Sequence, residues 1–321
     1  MEYRPLGQTG LRVSLLGLGT GGMNRLGQRA GLSTADIVRF VRGALDLGVN
    51  VIDTAPSYME SEALLGQALE GVRRDSYVLA TKFHPVHGGQ LPPAGELPRS
   101  LERSLKRLRT DYVDALLLHS VEPPWYEQIM DRFVAPLQAA KAAGLVRSIG
   151  MSDSFERDPE HRAAQRGLAA GVFDVLMVGF NVLSPGAVRT VLPEAGRQNV
   201  GVMAICAVRS VISNPELLRK LVAGWKAEGL LPEDAVPDDA PLDWLLGPGV
   251  DSLTDAAYKF AAQQPGVSTV MTGTANLEHL EANIRAIEGP PLPSDKVQRV
   301  LDTFGPLRRT ATHPAFLGRR V

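Results

Sequence analysis

Cysteine is nearly absent. Cys206 is the single one in 321 residues, so an internal disulfide and a CxxC metal site are excluded by count. Long apolar runs are also missing. No stretch approaches the roughly 18 consecutive apolar residues of a membrane span. The N-terminus, Met1-Glu2-Tyr3-Arg4-Pro5, has no apolar leader, so secretion by a signal peptide is not expected and a reducing, cytoplasmic setting is. Charge of one sign is lacking. Lys plus Arg is 34 and Asp plus Glu is 35, a net charge of −1, which leaves no basic field for nucleic acid or an anionic membrane. The six histidines show no HxxxH or HExxH spacing, so no metal is expected. What remains is a small-molecule partner, handled by a monomer or a weak homo-oligomer.

Hydrophobic residues at 44% and charged residues at 21% are those of a folded chain. Residues 3–14 read as a hairpin around Gly7-Gln8-Thr9-Gly10. Apolar runs then alternate with helical patterns. The runs are 15–20, 51–53, 77–81, 113–118, 146–150, 175–178, 201–206 and 268–271. Helices are expected from Ser33, a capping residue, to about Leu45, from about Ser61 to Leu69, over 96–108, up to Ala143-Gly144, and in 159–170, 186–198 and 276–287. Gly48 sits where a C-cap glycine belongs. Strands apolar on both faces that alternate with helices imply a parallel sheet. Eight such units predict an α/β fold, a (β/α)8 TIM barrel with an N-terminal β-hairpin. It would be a single domain over 1–321, with a barrel core at 14–290 and a C-terminal tail at 291–321. A long loop at about 225–250, after the seventh barrel strand, would hang over the carboxyl face.

Gly17-Leu18-Gly19-Thr20-Gly21-Gly22 formally matches GxGxxG. The next helix starts about ten residues too late for a Rossmann turn. The remaining readings are a flexible strand-end loop, or small residues that leave room for close approach at a barrel mouth.

Four polar residues stand at or after strand ends: Asp53, Tyr58 in the following turn, Lys82 and His119. Singly, each has an ordinary reading as a cap or a solvent-facing residue. Jointly they suit proton transfer. A free tyrosine, with a pKa of about 10, is a weak acid at neutral pH, and the Lys82 ammonium would lower that value. Asp53 would pair the buried lysine. His119 would donate a hydrogen bond to a carbonyl oxygen as hydride arrives at its carbon.

The chain resembles an aldo-keto reductase. The resemblance is carried by Asp53-Thr54-Ala55-Pro56-Ser57-Tyr58, Ser61-Glu62-Ala63-Leu64-Leu65-Gly66, Ala80-Thr81-Lys82, Leu118-His119, Arg147-Ser148-Ile149-Gly150-Met151-Ser152 and Thr272–Asn283. It spans about residues 3 to 293. It implies a barrel that binds a nicotinamide cofactor, NADP(H) or NAD(H), without a Rossmann domain. It implies Tyr58 as general acid/base, Lys82 and Asp53 tuning it, and His119 orienting the carbonyl. Cofactor contacts would come from Thr20, Gly21, Gly22, Asp53, Ser152, Asp153, Ile205, Gly273, Thr274, His279 and Asn283. Met23, Trp125 and Trp244 are candidate substrate contacts, although Trp244 also suits an anchor for the long loop.

Several positions depart from the family pattern. Asp153 replaces the asparagine of a Ser-Asn pair, so it accepts but cannot donate. Met177 stands for a glutamine, and Ile205 for an aromatic platform. Gly273, Ala275 and His279 replace cations that grip a 2′-phosphate, which opens NADH as the cofactor. The expected function is NAD(P)-dependent hydride transfer between a nicotinamide and a carbonyl or alcohol substrate. One alternative is an NAD-dependent sugar or polyol dehydrogenase. Another, of a different class, is a non-catalytic cofactor-binding or regulatory barrel. Cys206 is expected to be a buried small residue. The basic tail, with Leu307-Arg308-Arg309-Thr310, Phe316, Arg319 and Arg320, is expected at the surface.

Overall fold

The computed structural model describes residues 1–310. Strands β1 (Tyr3–Pro5) and β2 (Arg12–Ser14) form the expected antiparallel hairpin. Eight parallel strands follow. They are β3 (Leu16–Gly19), β4 (Val51–Asp53), β5 (Val78–Phe83), β6 (Val113–Val121), β7 (Val146–Asp153), β8 (Val175–Gly179), β9 (Gly201–Ile205) and β10 (Val267–Thr272). They lie in chain order, and β10 pairs back onto β3 to close a barrel. Closure removes every sheet edge. Helices cover the outside, so the strands are apolar on both faces.

Side chains alternate in and out along a strand. Val51, Val78, Ala80, Ala115, Leu117, Val175, Met177, Met203 and Met271 belong to the inner cluster. Ile52, Leu79, Leu116 and Leu118 join the larger cluster beneath the helices. Asp53 lies two residues beyond Val51, Lys82 two beyond Ala80, and His119 two beyond Leu117. Each therefore continues an inward stripe at the carboxyl end, where the apolar filling stops.

The hairpin plugs the opposite end. Leu6 and Val13 belong to the inner cluster, and the Gln8 amide donates to Asn199 O just before β9. This seat needs glycine at Gly7, whose φ is +53° and where a Cβ would lie 2.2 Å from Gly201 N.

The outer helices are α1 (Thr34–Asp46), α2 (Ser61–Ala68), α3 (Glu96–Leu108), α4 (Tyr126–Ala142), α5 (Arg162–Ala170), α6 (Ala187–Thr190), α7 (Leu192–Arg197), α8 (Ser210–Ser213), α9 (Pro215–Ala227), α10 (Leu253–Ala262), α11 (Leu277–Glu288) and α12 (Ser294–Phe304). Ser33 caps α1 in a full capping box with Asp36. Among the described residues no helix is long and apolar enough to cross a membrane.

Several boundaries differ from the sequence reading. β6 runs on to Val121, so His119 lies within the strand, beside a register shift and a left-handed Ser120. α5 starts at Arg162 rather than 159, because His161 is left-handed and ends the irregular turn before it. The helix expected over 186–198 is split at Val191, where α7 opens with Pro193 in its first turn; proline has no N–H to continue α6.

The expected loop at 225–250 begins inside α9, whose Leu218, Leu221, Val222 and Trp225 are buried at helical spacing. Helix α10 then completes the seventh unit. The irregular part is tied to α12, where Lys296 Nζ donates to Leu245 O and Leu246 O. Within the C-terminal segment α12 packs by burying Val300 and Phe304, while residues 307–310 of the basic tail are exposed or half-buried as expected. Phe316, Arg319 and Arg320 lie outside the described residues.

The glycine at the hairpin turn supplies a stability test. Gly7→Ala should destabilise the protein by about 1–3 kcal/mol through overpacking and strain. Gly10 has a φ of +76° but nothing within 4 Å, so Gly10→Ala should cost less. Thermal melts of the two variants check the order; equal losses would mean that the contact with Gly201 is immaterial.

Candidate active site

The three strand-end residues converge as the in-out period requires. Lys82 Nζ donates to Asp53 Oδ1 at 2.5 Å and to Thr54 O at 2.8 Å. Both side chains of the pair are buried. The Lys82 ammonium also lies 4.8 Å from the centroid of the Tyr58 ring. Tyr58 Oη and His119 Nε2 are 3.3 Å apart. A substrate oxygen placed between these two groups would meet both.

Tyr58 is set by its neighbours on two loops. Its amide donates to Ala55 O, which closes a turn after β4. Gly21, in the loop after β3, lies flat against the phenol, and a Cβ at Gly21 would be 2.3 Å from two ring carbons. Gln28 staples the loops together. Its amide nitrogen donates to Arg25 O at 2.7 Å and Ser61 Oγ at 2.9 Å, and its oxygen accepts from the Glu60 amide at 3.0 Å.

The electrostatics correct one expectation. Burial pushes the Tyr58 phenol above its ordinary value, and the Lys82 cation opposes this without reversing it. Tyr58 therefore rests protonated. Burial also holds His119 well below the usual imidazole range, aided by Lys82, His84 and Arg25, so the ring is neutral at neutral pH and has one N–H to donate. Burial alone would push the Lys82 ammonium down, but the Asp53 carboxylate and Tyr58 outweigh it and the net direction is up. The lysine keeps its charge.

A cavity of about 800 Å³ opens beside the tetrad, within the range of small-molecule sites of about 300–1,000 Å³. Asp53, Tyr58, Gly21, Gly22 and Met23 line one end. Gly273, Thr274, His279 and Asn283 line it further along, at β10 and the start of α11. Met177 and Ile205 add apolar wall, as does Val211 of α8, whose Ser210 and Ser213 also line the cavity.

The residues fit a nicotinamide dinucleotide in outline. Apolar side chains stand near Tyr58, and the start of α11 offers a positive dipole end for phosphate. At α11, the Asn283 amide donates to Thr272 Oγ1 at 3.1 Å and Tyr258 Oη donates to the same oxygen at 2.7 Å. Thr274 Oγ1 accepts from the Asn276 amide at 3.1 Å.

Other expected contacts stand outside these walls. Ser152 is buried and accepts from the Ser120 amide at 3.1 Å. Asp153 has both oxygens engaged, one with His161 Nδ1 at 2.7 Å and one accepting from the Gly179 amide at 3.2 Å. Thr20 is buried, and its hydroxyl has no partner. Trp125 sits in a 3-10 turn after β6. Trp244 donates to Pro241 O at 3.0 Å and is stacked by Arg299 of α12 at 4.3 Å. It is an anchor of the irregular segment and not a substrate wall of this cavity.

Among the cavity residues that the sequence reading did not assign to the site are Cys206, Arg209 and Tyr258. Cys206 lines the cavity in a left-handed conformation, its thiol pushed up by burial. Arg209 reaches Cys206 Sγ at 3.6 Å and Glu156 at 2.5 Å. Its position four residues past β9, on the carboxyl face, was a usable signal. Tyr258 lies on α10, which the sequence pattern did not reveal. Among the described residues no group of three or more His, Cys, Asp or Glu is placed to hold a metal ion.

A family model described as the aldo/keto reductase family matches residues 16–302. L-galactose dehydrogenase from Arabidopsis thaliana is 28% identical over 304 residues, which is 89% of this chain and 88% of that one. NADH-specific methylglyoxal reductase from Escherichia coli is 28% identical over 245 residues, 70% of this chain and 72% of that one. Among solved structures, the holo form of an aldo-keto reductase from Bacillus halodurans superposes with a TM-score of 0.70 at 24% identity, covering 97% of each chain. The barrel is that of an NAD(P)-dependent oxidoreductase acting on carbonyl or alcohol groups, and the chain belongs to the aldo/keto reductase family.

Proposed function

We propose that Tyr58 is the proton donor and acceptor of the reaction, with His119 aligning the substrate oxygen and the Lys82–Asp53 pair compensating charge beneath it. The observation that carries this reading is the 3.3 Å separation of Tyr58 Oη and His119 Nε2 above a buried, charged lysine. The nicotinamide, when bound, supplies or accepts the hydride. His119, neutral, donates one N–H to the carbonyl oxygen and draws electron density toward it. Tyr58, protonated at rest, passes its proton to that oxygen as it gains negative charge. The phenolate left behind is stabilised by the Lys82 ammonium, which is fixed by Asp53 Oδ1 and Thr54 O. In the oxidative direction the phenolate takes the proton back. Gly21, Gly22, Met177, Ile205, Gly273, Thr274, His279 and Asn283 would bind the cofactor along the cavity. The whole barrel would act as one catalytic unit, in the cytoplasm, as a monomer or weak homo-oligomer.

NAD(H) is the cofactor we favour. The positions facing the adenosine end are Gly273, Ala275 and His279, which bring no permanent cation to a 2′-phosphate. The NADH-specific relative from Escherichia coli agrees. A second reading, oxidation of a sugar or polyol, is favoured by the likeness to L-galactose dehydrogenase.

Four outcomes are expected. Tyr58→Phe should lower turnover by about 100- to 10,000-fold, the range for loss of a general acid, with cofactor binding by fluorescence retained. Retained turnover would remove Tyr58 from the reaction. In the wild type, alcohol oxidation should rise with pH through the neutral range, because the phenol's pKa is raised and its phenolate fraction grows with pH, while reduction should stay flat.

Lys82→Met should destabilise the fold by about 3–5 kcal/mol, since it leaves a buried carboxylate unpaired. The double variant with Asp53→Asn should be markedly less destabilised. Denaturant melts of both decide this, and an equal loss would mean that the pair is not coupled. Titration with NADH and NADPH should show tighter binding of NADH; the reverse would mean that the phosphate is gripped by groups other than those at the start of α11.

A further inference from the structure

Among the described residues, Arg25 is the cation near the catalytic pair that the reaction described above does not use. It comes from the loop after β3, next to Met23 and Asn24 of the cavity wall. The residue is 9% exposed. Its Cζ lies 4.9 Å from the centroid of the Tyr58 ring. It is also close enough to His119 to help hold that imidazole down. A guanidinium carries five N–H donors. Among the described residues one donation is found, from Nη1 to Gly21 O at 2.8 Å, and no carboxylate pairs with the charge.

Burying a guanidinium without a counter-ion is costly. A cation–π contact recovers only part of that. The backbone is strained here as well: Arg25 and Leu26 are consecutive non-glycine residues at φ +46° and +55°. Such conformations persist where the surroundings enforce them, and they gather at ligand clamps. Gln28 enforces this one, because its amide holds Arg25 O and Ser61 Oγ together. The loop spends stability to hold an unpaired fork of donors beside the Tyr58–His119 pair.

We propose that Arg25 seats an oxyanion of the substrate, a carboxylate or a phosphate carried within a few bonds of the reacting carbonyl. Arg25 is then a specificity residue, and the enzyme prefers acidic carbonyl or hydroxy compounds over neutral ones. The planar fork suits a carboxylate held by two parallel hydrogen bonds. This rests on Tyr58 and His119 holding the carbonyl oxygen, as proposed above.

The test compares wild type, Arg25→Met and Arg25→Lys in two assays. In the first, with NADH, phenylglyoxylate is set against its neutral methyl ester. Arg25→Met should lower kcat/KM for the acid by about 100-fold, the scale of lost charge-assisted bonds, and leave the ester within about threefold. Arg25→Lys should rescue part of the acid's loss. Equal losses for acid and ester, or a matching loss of NADH affinity, would overturn the proposal, because Arg25 would then serve Tyr58 or the cofactor.

The second assay measures binding of benzoate and of inorganic phosphate by calorimetry and needs no turnover. Whichever anion the wild type binds and Arg25→Met does not is the class that Arg25 recognises. If neither binds better to the wild type, the seat does not exist. If binding depends on Arg25 while no carbonyl compound is reduced, the hydride-transfer reading fails and the anion seat stands. Melting of Arg25→Met within a few degrees of wild type confirms that the comparison is between folded proteins.

Discussion

An ion pair sealed inside the barrel mouth organises everything around it. Lys82 Nζ and Asp53 Oδ1 stand 2.5 Å apart with both side chains buried. Such a pair repays its desolvation only when geometry is good and the remaining donors are satisfied. Here Thr54 O takes a second ammonium proton at 2.8 Å, and the Tyr58 ring faces the cation at 4.8 Å. The inward stripes of β4 and β5 deliver the two charges to the same depth. Removing either partner would leave a lone, largely desolvated charge. The fold therefore tolerates the pair only intact, and an intact pair keeps a permanent cation beneath the phenol.

The loop after β3 is the second constraint. It closes over Tyr58 through Gly21, which cannot carry a side chain there, and through the Gln28 staple. The same loop brings Arg25 to the phenol. Its glycines thus serve contact geometry and not a phosphate turn of Rossmann type. Between this loop and the start of α11 lies the cavity, with apolar wall where the nicotinamide would rest and amide and hydroxyl groups further along.

The barrel was legible because its signals are local and repeated. Eight apolar runs, each followed by a 3.6-residue pattern, leave few alternatives. The tetrad was legible for a related reason: a polar residue ending an apolar strand stands out against its neighbours. Harder to read was the region between β9 and β10. Two helices, α9 and α10, were hidden there by flanking proline, glycine and aspartate, and with them Tyr258. Arg25 was missed because its meaning lies in a ring 33 positions later. Even the sign of the Tyr58 shift was not legible, since it depends on how far burial outweighs Lys82, and sequence carries no depth. Asp153 shows the same limit. Its place in the family's Ser-Asn pattern implies a cofactor contact, but the sequence does not reveal that His161, eight residues on, and Gly179 also hold its oxygens.

The central claim is that one oxygen is held jointly by Tyr58 and His119 while hydride arrives at its carbon. A crystal structure of the protein with oxidised cofactor and a bound alcohol tests this most directly. The account predicts the substrate oxygen within hydrogen-bond distance, about 2.6–3.2 Å, of both Tyr58 Oη and His119 Nε2, with Lys82 still bonded to Asp53 and the nicotinamide against Met177 and Ile205. A substrate oxygen bonded to other groups, or a nicotinamide seated away from Tyr58, would contradict it.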